Sequence, residues 1–196
     1  MDASAVLLAG GKSARMGRGK AALVMDGLSL WRRQTGVLRA TGAAEVFVSG
    51  RPGTFGEIET LPDDAPDQSP LTGLIVALRR ARFPLLLVLA VDLPVMTPGY
   101  LQKLMARARP GVGSIPRRGE FFEPLAAVYP REALAPAEQG RRDGELSLQF
   151  LARRLVASQL VLPCDISTDE ARLFTNVNSP ENWALQGRSE FPQKSC

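Results

Sequence analysis

Residues 84–91, "PLLLVLAV", form an unbroken apolar run that stops at an acid, Asp92. Eight residues are far too few to cross a bilayer as a helix, which needs about 20. They suit a strand buried on both faces, and such strands belong to parallel sheets covered by helices on each side. That run constrains the rest of the chain. Its neighbours must be strands of similar character, and long crossovers, usually helical, must join them.

The flanking sequence meets this requirement. "SAVLLA" (residues 4–9) reads as a buried strand, and "SLWRRQTGVLRATG" as a helix with Ser29 at its N-cap and Gly42 just past its end. "EVFVSG" reads as a strand and "EIETL" as a shorter one. "SPLTGLIVALRRAR" reads as a helix capped by Ser69, with Pro70 at its first position, and "TPGYLQKLMARAR" repeats that logic with Thr97 and Pro98. Beyond about Pro110, "GVGSIPRRGEFFEPLAAVYP" reads as two strands around an exposed basic turn. "ELSLQFLARRL" then reads as a helix, "SQLVLP" as a strand and "SPENWALQG" as a last helix. The expected class is α/β with a mostly parallel sheet. A length of 196 residues suits one domain, burying roughly 70% of its unfolded surface. We place that domain at 1–187, with a polar tail at 188–196.

Several function classes drop out on composition. The chain has no histidine, which excludes Ser-His-Asp and Cys-His catalysis, H-E-x-x-H metalloproteases and most catalytic zinc sites. Chemistry must run on carboxylates, cations, backbone amides or a hard metal. Two distant cysteines, Cys164 and Cys196, fit neither a disulfide framework nor a zinc ribbon and suit a reducing cytosol. No basic segment followed by a long apolar stretch opens the chain, so no signal peptide is expected and the expected location is cytoplasmic. Residues 1–51 carry eight cations against three acids, a balance that suits an anionic ligand and equally a solvated basic surface. Two Trp and two Tyr, without aromatic–basic interleaving, argue against nucleic acid.

The anion-binding candidate is "LLAGGKSARMGRGKAAL", from Leu7 to Leu23. Its Gly-Lys-Ser does not complete a P-loop, because the required upstream glycine position holds Val6. A dinucleotide fingerprint started at Gly17 and Gly19 fails at Ala22. What remains is a strand that ends in Ala9, Gly10 and Gly11 and enters a basic loop. Paired glycines allow a tight turn and bring bare amides against a ligand. Arg15 and Lys20 then stand where they reach phosphate oxygens. The alternative is an ordinary glycine-rich βα turn. Asp92 ends its strand at the same rim, where ligands of α/β sheets bind. A carboxylate there suits Mg²⁺ shared with substrate phosphates, and Thr97 already fills the competing role of helix cap. Asp63 and Asp64 add acid after another strand, or merely form a solvated acidic loop. In "FTNVNSPENW", Asn176 and Asn178 alternate, so an extended backbone points both the same way, although a turn before a helix explains them as well.

Together these segments resemble the molybdenum cofactor guanylyltransferases, the MobA-like branch of the nucleotidyltransferases. "LAGGKSARMGRGKAAL" resembles their L-A-G-G-x-S-x-R-M-G-x-D-K signature, "DDAPDQSPLTGL" their D…G-P-L-A-G, "VDLP" their C-D-x-P and "FTNVNSPEN" their N-x-N-T-P-E-D. The matches keep the family order from Leu8 to about Trp183. The resemblance implies a Rossmann-like three-layer nucleotidyltransferase fold. It also implies GMP transfer from GTP to Mo-molybdopterin with Mg²⁺. Leu8, Ala9, Gly10, Gly11 and Lys20 would contact GTP, Asp63 would lie near the guanosine and Asp92 would bind the metal. Arg15, Lys20 and Asp92 would be catalytic, and Asn176 and Asn178 would face molybdopterin. Molybdopterin-handling proteins and recipient molybdoenzymes are candidate partners, and neither a membrane nor nucleic acid is. The chain carries Gly19 where the signature has Asp, Ser69 where it has Gly, and Glu123 where relatives often place another residue before the proline. A related enzyme using CTP or another phosphorylated acceptor, or a non-catalytic nucleotide binder, is the alternative.

Overall fold

The computed structural model describes residues 2–10, 20–62 and 69–176, with Lys20 described in its backbone alone. In chain order the elements are β1 (Ser4–Leu8), a 3-10 turn (Lys20–Ala22), β2 (Val24–Met25), β3 (Leu28–Ser29), α1 (Leu30–Ala40), β4 (Glu45–Ser49), β5 (Thr60–Leu61), α2 (Pro70–Arg80), β6 (Leu85–Ala90), α3 (Pro98–Arg107), β7 (Gly113–Arg118), β8 (Phe121–Phe122), β9 (Ala126–Pro130), a 3-10 turn (Arg131–Ala133), α4 (Leu134–Arg142), α5 (Leu148–Ala157), β10 (Val161–Asp165) and a last 3-10 turn (Ala171–Phe174).

One sheet runs β10-β7-β9-β6-β1-β4-β5, with β8 paired to β7. β6, β1, β4 and β5 are parallel, as are β7 and β10, while β9 runs antiparallel between β6 and β7. The crossover through α3 leaves a slot beside β6 that the later β9 fills from the opposite direction. The sheet is therefore mostly parallel, as expected.

Strand alternation sorts the core into two layers. Leu85, Leu87 and Leu89 of β6 join Leu30 and Leu38 of α1 and Leu101 and Leu104 of α3. Leu86 and Val88 join Leu71, Leu74 and Leu78 of α2 and Leu151 and Leu155 of α5. Every residue of β6 is buried, which is why its sequence does not alternate. Each such leucine contributes on the order of 2 kcal/mol. Helix ends follow their local signals. Ser69 accepts from the Thr72 N–H and Thr97 from the Tyr100 N–H, each with proline at the start of the helix. Gly42, at φ 83°, terminates α1 in the left-handed region.

Several boundaries differ from expectation. Only Thr60–Leu61 of "EIETL" pairs as a strand. The "GVGSIPRRGEFFEPLAAVYP" segment holds three strands rather than two, and "SQLVLP" pairs only from Val161, running on to Asp165. A hairpin, β2–β3, turns on Asp26 and Gly27, both at positive φ, and α4 forms where no helix was expected. The expected last helix lies outside the described residues. No helix among the described residues is long and apolar enough to cross a membrane.

Candidate functional site

The ladders run to the last residue at the carboxyl end of the sheet. The Ala9 N–H donates to Ser49 O (2.9 Å), Val91 N–H to Leu8 O (3.1 Å), Gly50 N–H to Leu61 O (3.1 Å) and Ala90 N–H to Leu125 O (2.8 Å). These bonds bring the ends of β1, β4, β5 and β6 and the start of β9 to one rim. Leu8 is buried, Ala9 half-buried, and Gly10 exposed. Two glycines let other chain approach this point. A Cβ on Gly50 would lie 2.9 Å from the Phe55 ring and 3.6 Å from the Gly10 nitrogen. A Cβ on Gly73 would lie 3.0 Å from Ser49 Oγ and 3.1 Å from Leu8 Cδ2. The first turn of α2 therefore sits against the ends of β1 and β4, with its positive pole at the rim.

Asp92 follows β6 and is half-buried there. Thr97 caps α3, so Asp92 is not that cap. The backbone just past Asp92 is held by α1: Arg33 Nε donates to Pro94 O (2.9 Å), and Gln34 Nε2 donates to Leu93 O. Leu93 and Met96 anchor the same loop in the core. Gln34 is fully buried, and its Oε1 has no hydrogen-bond partner among the described residues. Sequence reasoning missed both side chains, whose targets lie about 60 residues away.

Across the sheet, the segment leading to Asn176 is tied down by four contacts. The Phe174 and Tyr100 rings meet edge-on at 5.4 Å. Lys103 Nζ lies 2.5 Å from Glu170 Oε1, the Ser167 N–H donates to Glu170 Oε2, and Arg118 Nη2 donates to Ala171 O (3.3 Å). The Lys103 ammonium and the Ser167 N–H hold the Glu170 carboxyl down at about 2. Asn176 follows this segment and is exposed. Arg117 is also engaged within the chain, on Asp165 (2.9 Å). A cleft of about 420 Å³ opens between Arg33, Val95, Thr97, Arg172, Leu173 and Thr175.

Glu123 stands just before β9, and its N–H donates to Pro116 O (2.9 Å). Its side chain is half-buried and accepts no hydrogen bond among the described residues. Burial pushes its carboxyl above the usual value, against the pull of the Arg118 charge.

The structure thus brings Leu8, Ala9, Gly10 and Asp92 to one rim, with Asn176 beyond a turn anchored on α3 and β7. Lys20 opens a 3-10 turn. Its side chain, with Gly11, Arg15, Asp63 and Asn178, lies outside the described residues. No cluster of three or more His, Cys, Asp or Glu that would hold a metal occurs among the described residues. A self-sufficient protein cage is therefore not on offer there, while a single rim carboxylate suits a Mg²⁺ ion shared with phosphates.

Comparison with known proteins adds three findings. The model of the MobA-like NTP transferase domain matches residues 5–160. The chain is 37% identical over 182 residues to a probable molybdenum cofactor guanylyltransferase of Opitutus terrae, covering 90% of each, and 34% identical over 188 residues to the molybdenum cofactor guanylyltransferase of Xanthomonas euvesicatoria, covering 91% of each. The crystal structure of molybdopterin-guanine dinucleotide biosynthesis protein A from Archaeoglobus fulgidus superposes with a TM-score of 0.73 at 21% identity, covering 93% of this chain and 95% of that one.

Proposed function

The chain belongs to the MobA-like NTP transferase family, and we propose that it transfers GMP from GTP to Mo-molybdopterin, forming the molybdopterin guanine dinucleotide cofactor and releasing pyrophosphate. Likeness to named guanylyltransferases over nine-tenths of the chain carries this reading. In the proposed reaction a terminal phosphate oxygen of molybdopterin attacks the α-phosphorus of GTP. That P–O bond forms as the bond to the β-phosphate oxygen breaks, and pyrophosphate leaves with the electron pair. The nucleophile is already anionic near neutral pH, so no general base is needed and a chain without histidine loses nothing. Catalysis is positioning and charge neutralisation.

The roles follow the rim. The amides of Gly10 and Gly11 turn around the phosphates, beside Leu8 and Ala9. Arg15 and Lys20 offset charge on the leaving pyrophosphate, and Asp63 meets the guanosine. Asn176 and Asn178 face molybdopterin. Asp92 holds Mg²⁺, with Arg33 and Gln34 fixing the loop that carries it. Mg²⁺ bound there would supply neutralisation of phosphate charge. We assign these roles to one domain over 1–187, with 188–196 as a tail. We place the reaction in the cytoplasm, with molybdopterin-handling proteins and recipient molybdoenzymes as partners.

The test compares nucleotides. The purified protein, given Mo-molybdopterin and Mg²⁺, is expected to release pyrophosphate with GTP and to discriminate strongly against CTP. Equal or better use of CTP would sink the assignment.

A further inference from the structure

Glu123 has no part in the roles above, yet its setting is unusual. A half-buried carboxylate is costly unless donors replace its lost water. No hydrogen bond or ion pair closes on it among the described residues. Arg118, the cation whose charge reaches it, spends a donor on Ala171 O. The Tyr100 phenol also feels the Glu123 charge, but burial raises its own titration far above neutrality. The position is not remote. β6 and β9 pair Leu89 with Ala126, and Ala90 N–H donates to Leu125 O. A turn closed by the Ala126 N–H on Glu123 O (3.2 Å) leads into that end of β9, with Glu123 opposite Pro116 of β7.

Sheet order says which substrate passes there. β1 and β5, the strands that precede the glycine loop and Asp63 in the chain, lie on one side of β6. β9 and β7 lie on the other side, with the 171–174 turn that leads to Asn176 anchored beside them. Glu123 is therefore on the acceptor half. A pterin presents two adjacent donors, a ring N–H and a 2-amino group, and a carboxylate accepts both at once. Guanine carries the same donor pair.

We propose that Glu123 is a specificity-determining residue for the acceptor, its carboxylate accepting the paired N–H donors of the pterin's 2-amino-4-oxo edge. This rests on the reading of molybdopterin as acceptor, and the test separates the two. Free pterin is fluorescent and can be titrated without turnover. Lumazine, which has an oxygen in place of the 2-amino group, serves as its control. The wild type is expected to bind pterin more tightly than lumazine. Glu123→Gln should weaken pterin roughly tenfold, leave lumazine nearly unchanged and leave GTP binding unchanged. In the transfer assay the same variant should raise the acceptor KM with little change in kcat or in the GTP KM. Unaltered pterin binding in the variant, or no pterin binding by the wild type, overturns the proposal. So does a loss that falls on GTP, which would make Glu123 a reader of guanine. Should Glu123→Gln fail to fold, Glu123→Asp keeps the charge and shortens the reach, and is expected to weaken pterin selectively. Failure of GMP transfer by the wild type would instead strike the acceptor assignment itself.

Discussion

Glu45 and Glu123 sit at opposite ends of the same sheet, and their carboxyls are shifted in opposite directions. Glu45 begins β4 with a side chain only 6% exposed. Burial would raise its carboxyl, but the Arg82 N–H (2.9 Å), the Ser4 hydroxyl (2.6 Å) and the Arg82 guanidinium (2.6 Å) outweigh that and hold it below the usual value. Glu123, at the carboxyl end, is raised instead: burial pushes its carboxyl up, and only the Arg118 charge pulls the other way. β1 spans the same contrast within five residues: Ser4 closes on Glu45, while Leu8 gives way to exposed Gly10. One end of the sheet has satisfied its polar groups internally. The other brings exposed Gly10, half-buried Asp92 and Glu123 and the start of α2 to one rim, an arrangement that suits a ligand site at the carboxyl end of the strands.

The largest expected effect tests that division directly. Asp92→Ala should reduce turnover per folded molecule roughly a thousandfold. Glu45→Ala should instead destabilise the fold, leaving Ser4 and the Arg82 N–H without their acceptor at a cost of about 2 kcal/mol. Urea unfolding would show that loss, with KM and kcat per folded molecule unchanged. A fully active Asp92 variant or an inactive but stable Glu45 variant would break the comparison.

A pH series sharpens it. The folded carboxyl of Glu45 lies below its ordinary value of 4.5, so its stabilisation is present above that value and is lost as pH falls through the folded one. Glu45→Gln should therefore be destabilised near neutrality, with the deficit shrinking in acid. Glu123 has the opposite sign. Its raised carboxyl favours the fold below the ordinary value, and that advantage is lost as pH rises through the folded one. Glu123→Gln should thus be more stable than the wild type at neutral pH, with the gain fading in acid. Parallel curves for the two variants would contradict the assigned environments.

How far the sequence led depended on how local each signal was. The caps at Ser69-Pro70 and Thr97-Pro98 and the two-faced burial of β6 are written within a few residues, and each could be read. Asp26-Gly27 is a two-residue hairpin signal that was available and overlooked. α4 contains Pro136 and Gly140, both poor helix formers, although proline is tolerated in a first turn where its missing N–H has no partner to lose. The antiparallel insertion of β9 is a matter of sheet order, which no local pattern records. At the rim, Gly10 and Asp92 could be placed from sequence because each directly follows a readable strand. Arg33, Gln34 and the Tyr100–Phe174 and Lys103–Glu170 pairs could not, because each is a contact between residues about 60 to 75 positions apart.

The smallest effect concerns a residue at the functional end that does a structural task. Ser69 replaces the glycine of the family signature and stands at the N-cap of α2. Its Oγ accepts from the Thr72 N–H (3.2 Å) and lies 3.2 Å from the Thr72 hydroxyl, so the gained side chain turns inward on its own helix. Ser69→Ala should cost about 1 kcal/mol and Ser69→Gly only a few tenths, with the GTP KM unchanged in both. Chemical denaturation beside a GTP titration separates the outcomes. A raised GTP KM with full stability would move Ser69 into the nucleotide site. A stability loss alone would show that the boundary between the two kinds of chemistry runs within the first turn of α2, between the hydroxyl that caps the helix and the glycine, Gly73, that lets it rest on β1 and β4.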